Sequence, residues 1–81
     1  MKFKLSIHAQ DVMTARGILE EWVVSTIDDP SGRVIVSDEE VHYFSTIHRN
    51  EERCLKVVVN PVKYLVVTAY FDRKMRKKGC R

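Results

Sequence analysis

Ile18-Leu19-Glu20-Glu21-Trp22-Val23-Val24-Ser25-Thr26-Ile27-Asp28-Asp29-Pro30-Ser31-Gly32 divides the 81-residue chain into a helical part and a stranded part. Ile18, Leu19, Trp22, Val23, Thr26 and Ile27 recur at three- and four-residue intervals, which is the stripe of an amphipathic helix. Glu20 and Glu21 fall in its first turn, where the helix dipole favours acids. Asp28 to Gly32 then stops it, because Pro30 has no N–H to donate and the flanking residues favour turns.

Upstream, Ala9, Val12, Met13 and Arg16 repeat the helical spacing, and Gly17 stands where a left-handed C-cap is wanted. This predicts a first helix over about 8–16. Met1 to Ile7 alternates, with Phe3, Leu5 and Ile7 on one side, and is either a short half-buried strand or an extended arm. Downstream, Arg33 to Ser37, Val41 to Arg49, Arg53 to Val59 and Tyr64 to Phe71 are rich in β-branched and aromatic residues. Ser37-Asp38-Glu39-Glu40 resembles a helix capping box, but the His42-Tyr43-Phe44-Ser45-Thr46 run that follows favours a strand. Connections of three or four residues suit hairpins. The expected fold class is therefore α+β: two N-terminal helices on one face of a three- or four-stranded antiparallel sheet.

Alternation assigns the faces. Leu65, Val67, Ala69 and Phe71, then Leu55, Val57 and Val59, then Val41, Tyr43, Ser45 and Ile47 are expected under the helices. Tyr64, Val66, Thr68, Tyr70 and Asp72, with Cys54, Lys56, Val58 and Asn60 and with His42, Phe44, Thr46 and His48, fall on the open face.

Charge is unevenly placed. The chain has 14 Lys and Arg against 11 Asp and Glu, a formal net charge of +3. Residues 1–72 hold all 11 acids and 8 of the bases, a balance of −3, and residues 73–81 hold the remaining 6 bases, +6. The organisation is thus one mildly acidic domain, 1–72, with a basic tail, 73–81. A chain this short has room for a single core. No apolar run approaches the length of a membrane span, and Met1 to Leu5 lacks the apolar stretch of a secretory signal. Cys54 and Cys80, 26 positions apart with no paired Cys motif, are expected as free thiols, and the expected location is cytoplasmic.

Ser6-Ile7-His8-Ala9, with Met13 and Arg16-Gly17-Ile18, resembles the opening of a small bacterial protein family. Leu55-Lys56-Val57-Val58-Val59, Val66-Val67-Thr68-Ala69-Tyr70 and Arg73 resemble its closing motif. That family is grouped with the RelE-like ribonuclease fold of toxin–antitoxin systems. The resemblance spans His8 to Arg73 and implies an RNA-cleaving toxin that needs no metal or cofactor. It also implies RNA as partner, a cognate antitoxin protein and the ribosome, with His8, Arg16, Thr68 and Tyr70 in the catalytic set. Val12 departs from the pattern, since the family often has a basic residue there.

Metal-free cleavage needs a base for the 2′-hydroxyl, donors for the charge growing on the phosphate, and an acid for the leaving oxygen. His8 falls in the first turn of a helix, where the dipole favours the neutral imidazole of a general base. It serves equally as an ordinary helix residue. Arg16, about 12 Å along the same helix, can clamp a phosphate or bond to the sheet. Thr68 and Tyr70, roughly 7 Å apart on one strand face, can hold a phosphate oxygen and donate a proton, or simply border the core. Arg73, Lys74, Arg76 and Lys77, with Lys56 and His42 on the open face, are the expected substrate-binding residues. His48 lies about 20 Å from His42 along the strand, too far to share its site. Trp22 and the methionines are expected in the core. No group of residues has metal-ligand spacing and no glycine-rich loop suits a nucleotide. The tail is either a solvated end or an electrostatic arm for RNA phosphates. As an arm, its removal after Asp72 should weaken RNA binding far more than folding. The alternative function is a non-catalytic RNA- or protein-binding module of the same fold.

Overall fold

A computed structural model describes residues 1–80. The order of elements is β1 (Lys4–Leu5), α1 (Ile7–Arg16), α2 (Glu20–Asp28), β2 (Gly32–Ser37), β3 (Glu40–Ile47), β4 (Arg53–Asn60), β5 (Leu65–Phe71) and α3 (Arg73–Lys77). The α+β class and the two helices that precede the main sheet agree with the expectation. The sheet itself corrects it. There are five strands in the order β1-β5-β4-β3-β2, and β1 runs parallel to β5, so the sheet is mixed and not a three- or four-stranded antiparallel one. The short N-terminal segment is a strand because its backbone bonds to β5: Lys4 N–H donates to Tyr64 O at 2.8 Å and Ser6 N–H to Val66 O at 3.1 Å.

Ser6 also starts α1. Its hydroxyl accepts from Ala9 N–H at 2.9 Å and donates to Val67 O at 3.1 Å, joining helix start to sheet edge. Gly17 ends the helix as expected, at φ 66°. Its N–H bonds to Thr14 O and the Ile18 N–H to Met13 O, the paired closure that glycine permits at a helix end. Met13 and Ile18 share the core. α2 begins at Glu20, later than the apolar stripe suggests, so Ile18 is buried from the connection and Leu19 is exposed. Thr26, wholly buried on α2, satisfies its hydroxyl on Trp22 O at 2.7 Å.

The main core lies between these helices and one sheet face. Ala9, Met13, Ile18 and Val23 pack on Val41, Ile47, Leu55, Val57, Val59, Val66 and Ala69. In β3 and β4 the inward residues follow the expected alternation. In β5 they do not: Thr68 pairs with Val58 but Val66 pairs with Val59, so Val67 is an extra residue bulged out of the ladder. Val66 is therefore fully buried and Val67 is 37% exposed, the reverse of what uninterrupted alternation gives.

The opposite face is not fully open. Phe44 and Cys54 are buried there with Cys80, and Met75 of α3 packs against them. Cys54 and Cys80 are joined in a disulfide, Cα–Cα 5.5 Å, which corrects the free-thiol expectation and removes the support it gave to a cytoplasmic location. The basic segment is folded through residue 80 instead of trailing free: Asp72 caps α3 by accepting from Met75 N–H at 3.0 Å, and Cys80 N–H returns to Met75 O. Arg81 lies outside the described residues. A cut after Asp72 would thus unroof Phe44 and remove the disulfide, so it cannot separate binding from folding. Among the described residues no helix is long and apolar enough to cross a membrane.

The disulfide closes a 26-residue separation. Replacing both cysteines by serine should lower the unfolding free energy by about 3 kcal/mol on the loop-entropy argument. Urea unfolding of the oxidised and variant chains measures this, and an unchanged midpoint would contradict it.

Candidate functional site

At the end of the sheet where β4 begins and β5 finishes, two cavities of about 730 and 410 Å³ share Arg53, Phe71 and Arg73 as walls and form one groove. Arg16 and Tyr70 complete the smaller end, and Glu51, Asp72, Arg76 and Lys77 line the larger. Five cations against two carboxylates give the groove a local balance of +3, while the nine bases and nine acids elsewhere in the chain cancel. Such a concave positive surface concentrates anions.

Each side chain is held there by a local cause. Arg53 and Phe71 both lie on the helix-facing side of the sheet, and the Arg53 guanidinium sits 4.2 Å above the Phe71 ring centre. Phe71 in turn meets Trp22 edge-on, with ring centres 6.4 Å apart. The guanidinium is thereby held over a braced ring and keeps its N–H groups for a ligand. Tyr70 projects from the other side of β5. It lies between the Arg16 guanidinium at 5.8 Å and the Lys56 ammonium at 5.3 Å. Arg16 is fixed by donating to Ala69 O at 2.8 Å, which occupies part of its fork and leaves further N–H groups free. Lys56 is 4.0 Å from Asp72 and 5.8 Å from the Phe44 ring.

The larger cavity is walled by α3 and by the β3–β4 turn. Glu51 and Glu52 both adopt φ 56° there, a left-handed conformation that costs a side-chain-bearing residue about 1 kcal/mol or more. Arg76 donates to Glu51 O at 2.8 Å and so ties helix to turn.

Of the residues expected from sequence, Arg16, Tyr70, Arg73, Arg76 and Lys77 meet in this groove. Lys56 borders it through Tyr70. His8, Thr68, His42 and Lys74 line neither cavity. His8 is exposed near the start of α1, about 12 Å of helix from Arg16. Thr68 stands on the same strand face as Tyr70, in the row formed by His42, Val58 and Thr68. His42 is committed to Glu40, Nε2 to Oε2 2.6 Å. Arg53 is the residue that sequence reading missed. Its signal was parity: it is two residues from Leu55, which pairs with Phe71, so the three share a face.

Among the described residues no three His, Cys, Asp or Glu side chains converge as metal ligands would. Comparison with protein families, with curated proteins and with solved structures finds no match to this chain.

Two variants test the framework of the groove. Glu51→Asn with Glu52→Gly should stabilise the chain by about 1 to 2 kcal/mol by relieving the left-handed pair. Arg16→Ala should cost about 1.5 kcal/mol by leaving the Ala69 carbonyl without its charged donor. Denaturant midpoints read both, and a destabilised turn variant would refute the strain assignment.

Proposed function

We propose that the chain binds RNA through its phosphates along the Arg16–Arg53–Arg73–Arg76 groove and cleaves it there without a metal ion, as the toxin half of a toxin–antitoxin pair. The observation that carries this reading is the convergence of Arg16, Arg53 and Arg73 on one cavity with Tyr70. Three guanidinium groups suit phosphate oxygens, which they can grip in pairs. Tyr70 adds a ring on which a base can stack and a phenol that can pass a proton. The resemblance to RelE-like ribonucleases supplies the reaction.

In that reaction the 2′-hydroxyl attacks the neighbouring phosphorus and the 5′-oxygen leaves. Arginine N–H groups stabilise the charge that accumulates on the phosphate. Tyr70 gives its proton to the leaving oxygen and regains one from water in the open groove, which also accepts the 2′-hydroxyl proton. His8 is assigned no step. In this reading RNA, a cognate antitoxin and the ribosome are the partners, and the site of action is the cytoplasm.

The second reading, a non-catalytic RNA-binding module of the same fold, is favoured by one observation. No histidine lines the groove, so the commonest general base is missing from it.

The test incubates purified chain with RNA in EDTA, with and without ribosomes and with and without reductant, beside a filter-binding series in salt. Tyr70→Phe should lower cleavage by about 100-fold or more while binding persists. Arg53→Ala and Arg73→Ala should each reduce the salt slope by about 1. His8→Ala should leave both activities intact. Binding without any cleavage product, and without slowed growth on expression, removes the enzyme and leaves the binding module. Absence of binding at low salt removes both.

A further inference from the structure

The two edges of the sheet are treated differently. At one edge the outer strand β1 has only two residues, and the part of β5 that it leaves bare is bonded by side chains: Ser6 to Val67 O at 3.1 Å and Arg16 to Ala69 O at 2.8 Å. At the other edge β2 pairs only with β3, and among the described residues no side chain bonds to the outer side of its backbone. β2 also presents Val34, Ile35 and Val36 at 45, 65 and 54% exposure, three consecutive apolar residues that project to both faces. Edges of this kind are ordinarily protected by lysine, proline or a covering element. β2 contains neither residue, and no helix covers it extensively. A bulge at Val36 bends its end, and Gly32 to Ile35 stay in regular register.

We propose that β2 is a dimerisation edge, where two copies of this chain pair their β2 strands antiparallel about a twofold axis near Ile35. The charges at the two ends of the strand select this occupant. Arg33 is the second residue of β2 and the Asp38-Glu39 turn follows its end, so antiparallel pairing sets Arg33 of each copy beside the acidic turn of the other, twice by symmetry. A parallel arrangement would bring like charges together. Apolar side chains then cover one another across the join on both faces, where each copy alone leaves them in water. The assembly stops at two because the remaining edge of each copy is already bonded. This proposal is independent of the RNA-binding reading, whose residues lie on α1, β4, β5 and α3.

Sedimentation of the full oxidised chain over a concentration series tests it, with amide exchange as a second readout. The expected results are a plateau at twice the monomer mass and protected amides in Val34 to Ser37. Ile35→Lys, at a site too exposed to be needed by the core, should give a folded monomer by circular dichroism with that protection lost. Ile35→Val should remain dimeric. Arg33→Glu should weaken association, and adding Asp38→Lys should restore it. The proposal is overturned by a wild-type chain that stays monomeric at its highest soluble concentration, by an Ile35→Lys chain that still dimerises, or by masses that grow past two without a plateau.

Discussion

One extra residue in β5 sets the terms for most of the molecule. With Val67 bulged out of the ladder, Val66 and Ala69 can both point into the core although they are three positions apart. The consequences run in both directions along the strand. Toward its start, Leu65 and Val66 keep a regular parallel register with Lys4 and Leu5, which anchors β1 and, through Ser6, the start of α1. Toward its end, Thr68 and Tyr70 face away from the helices while Phe71 turns under them. The groove depends on that split, since Tyr70 and Phe71 enter it from opposite sides of one strand.

α1 is tied to this strand at both of its ends. Ser6 bonds to Val67 O and Arg16 to Ala69 O, so the ten-residue helix lies along the exposed edge of β5 and satisfies carbonyls that a sixth strand would otherwise seek. The same arginine reaches Tyr70. Its structural bond and its place in the groove are compatible because a guanidinium has five donors and one carbonyl uses one of them.

The sequence made α1, α2, Gly17, the hairpins and the inward faces of β3 and β4 legible, because each follows from a local period or a local turn. The bulge was not legible, since Val66, Val67, Thr68, Tyr70 and Phe71 are all strand formers and nothing in the string marks which residue is left unpaired. Nor was the disulfide: Cys54 and Cys80 meet only because α3 folds back over Phe44, a tertiary event that residue spacing does not encode. The candidate site was visible in part. Arg16, Tyr70 and Arg73 came from the family resemblance, which links the first helix to the last strand. Arg53 escaped notice because its neighbour Cys54 faces the other way, and only the β4–β5 register shows that Phe71 lies beneath it.

The disulfide gives the charge distribution a different meaning. Six bases at the end of a chain would ordinarily form a flexible arm, which must lose its freedom each time it holds an anion. Here Asp72 caps α3, Cys80 fastens the segment to β4, and Arg76 is bonded to the Glu51 carbonyl across the groove. Arg73, Arg76 and Lys77 therefore stand as one wall of a cavity whose other wall holds Arg53. Most of the ordering cost is met on folding, so a phosphate-bearing ligand would meet cations already in place. The groove takes five of the 14 bases but only two of the 11 acids, so it carries the chain's whole net charge of +3 while the nine bases and nine acids elsewhere cancel.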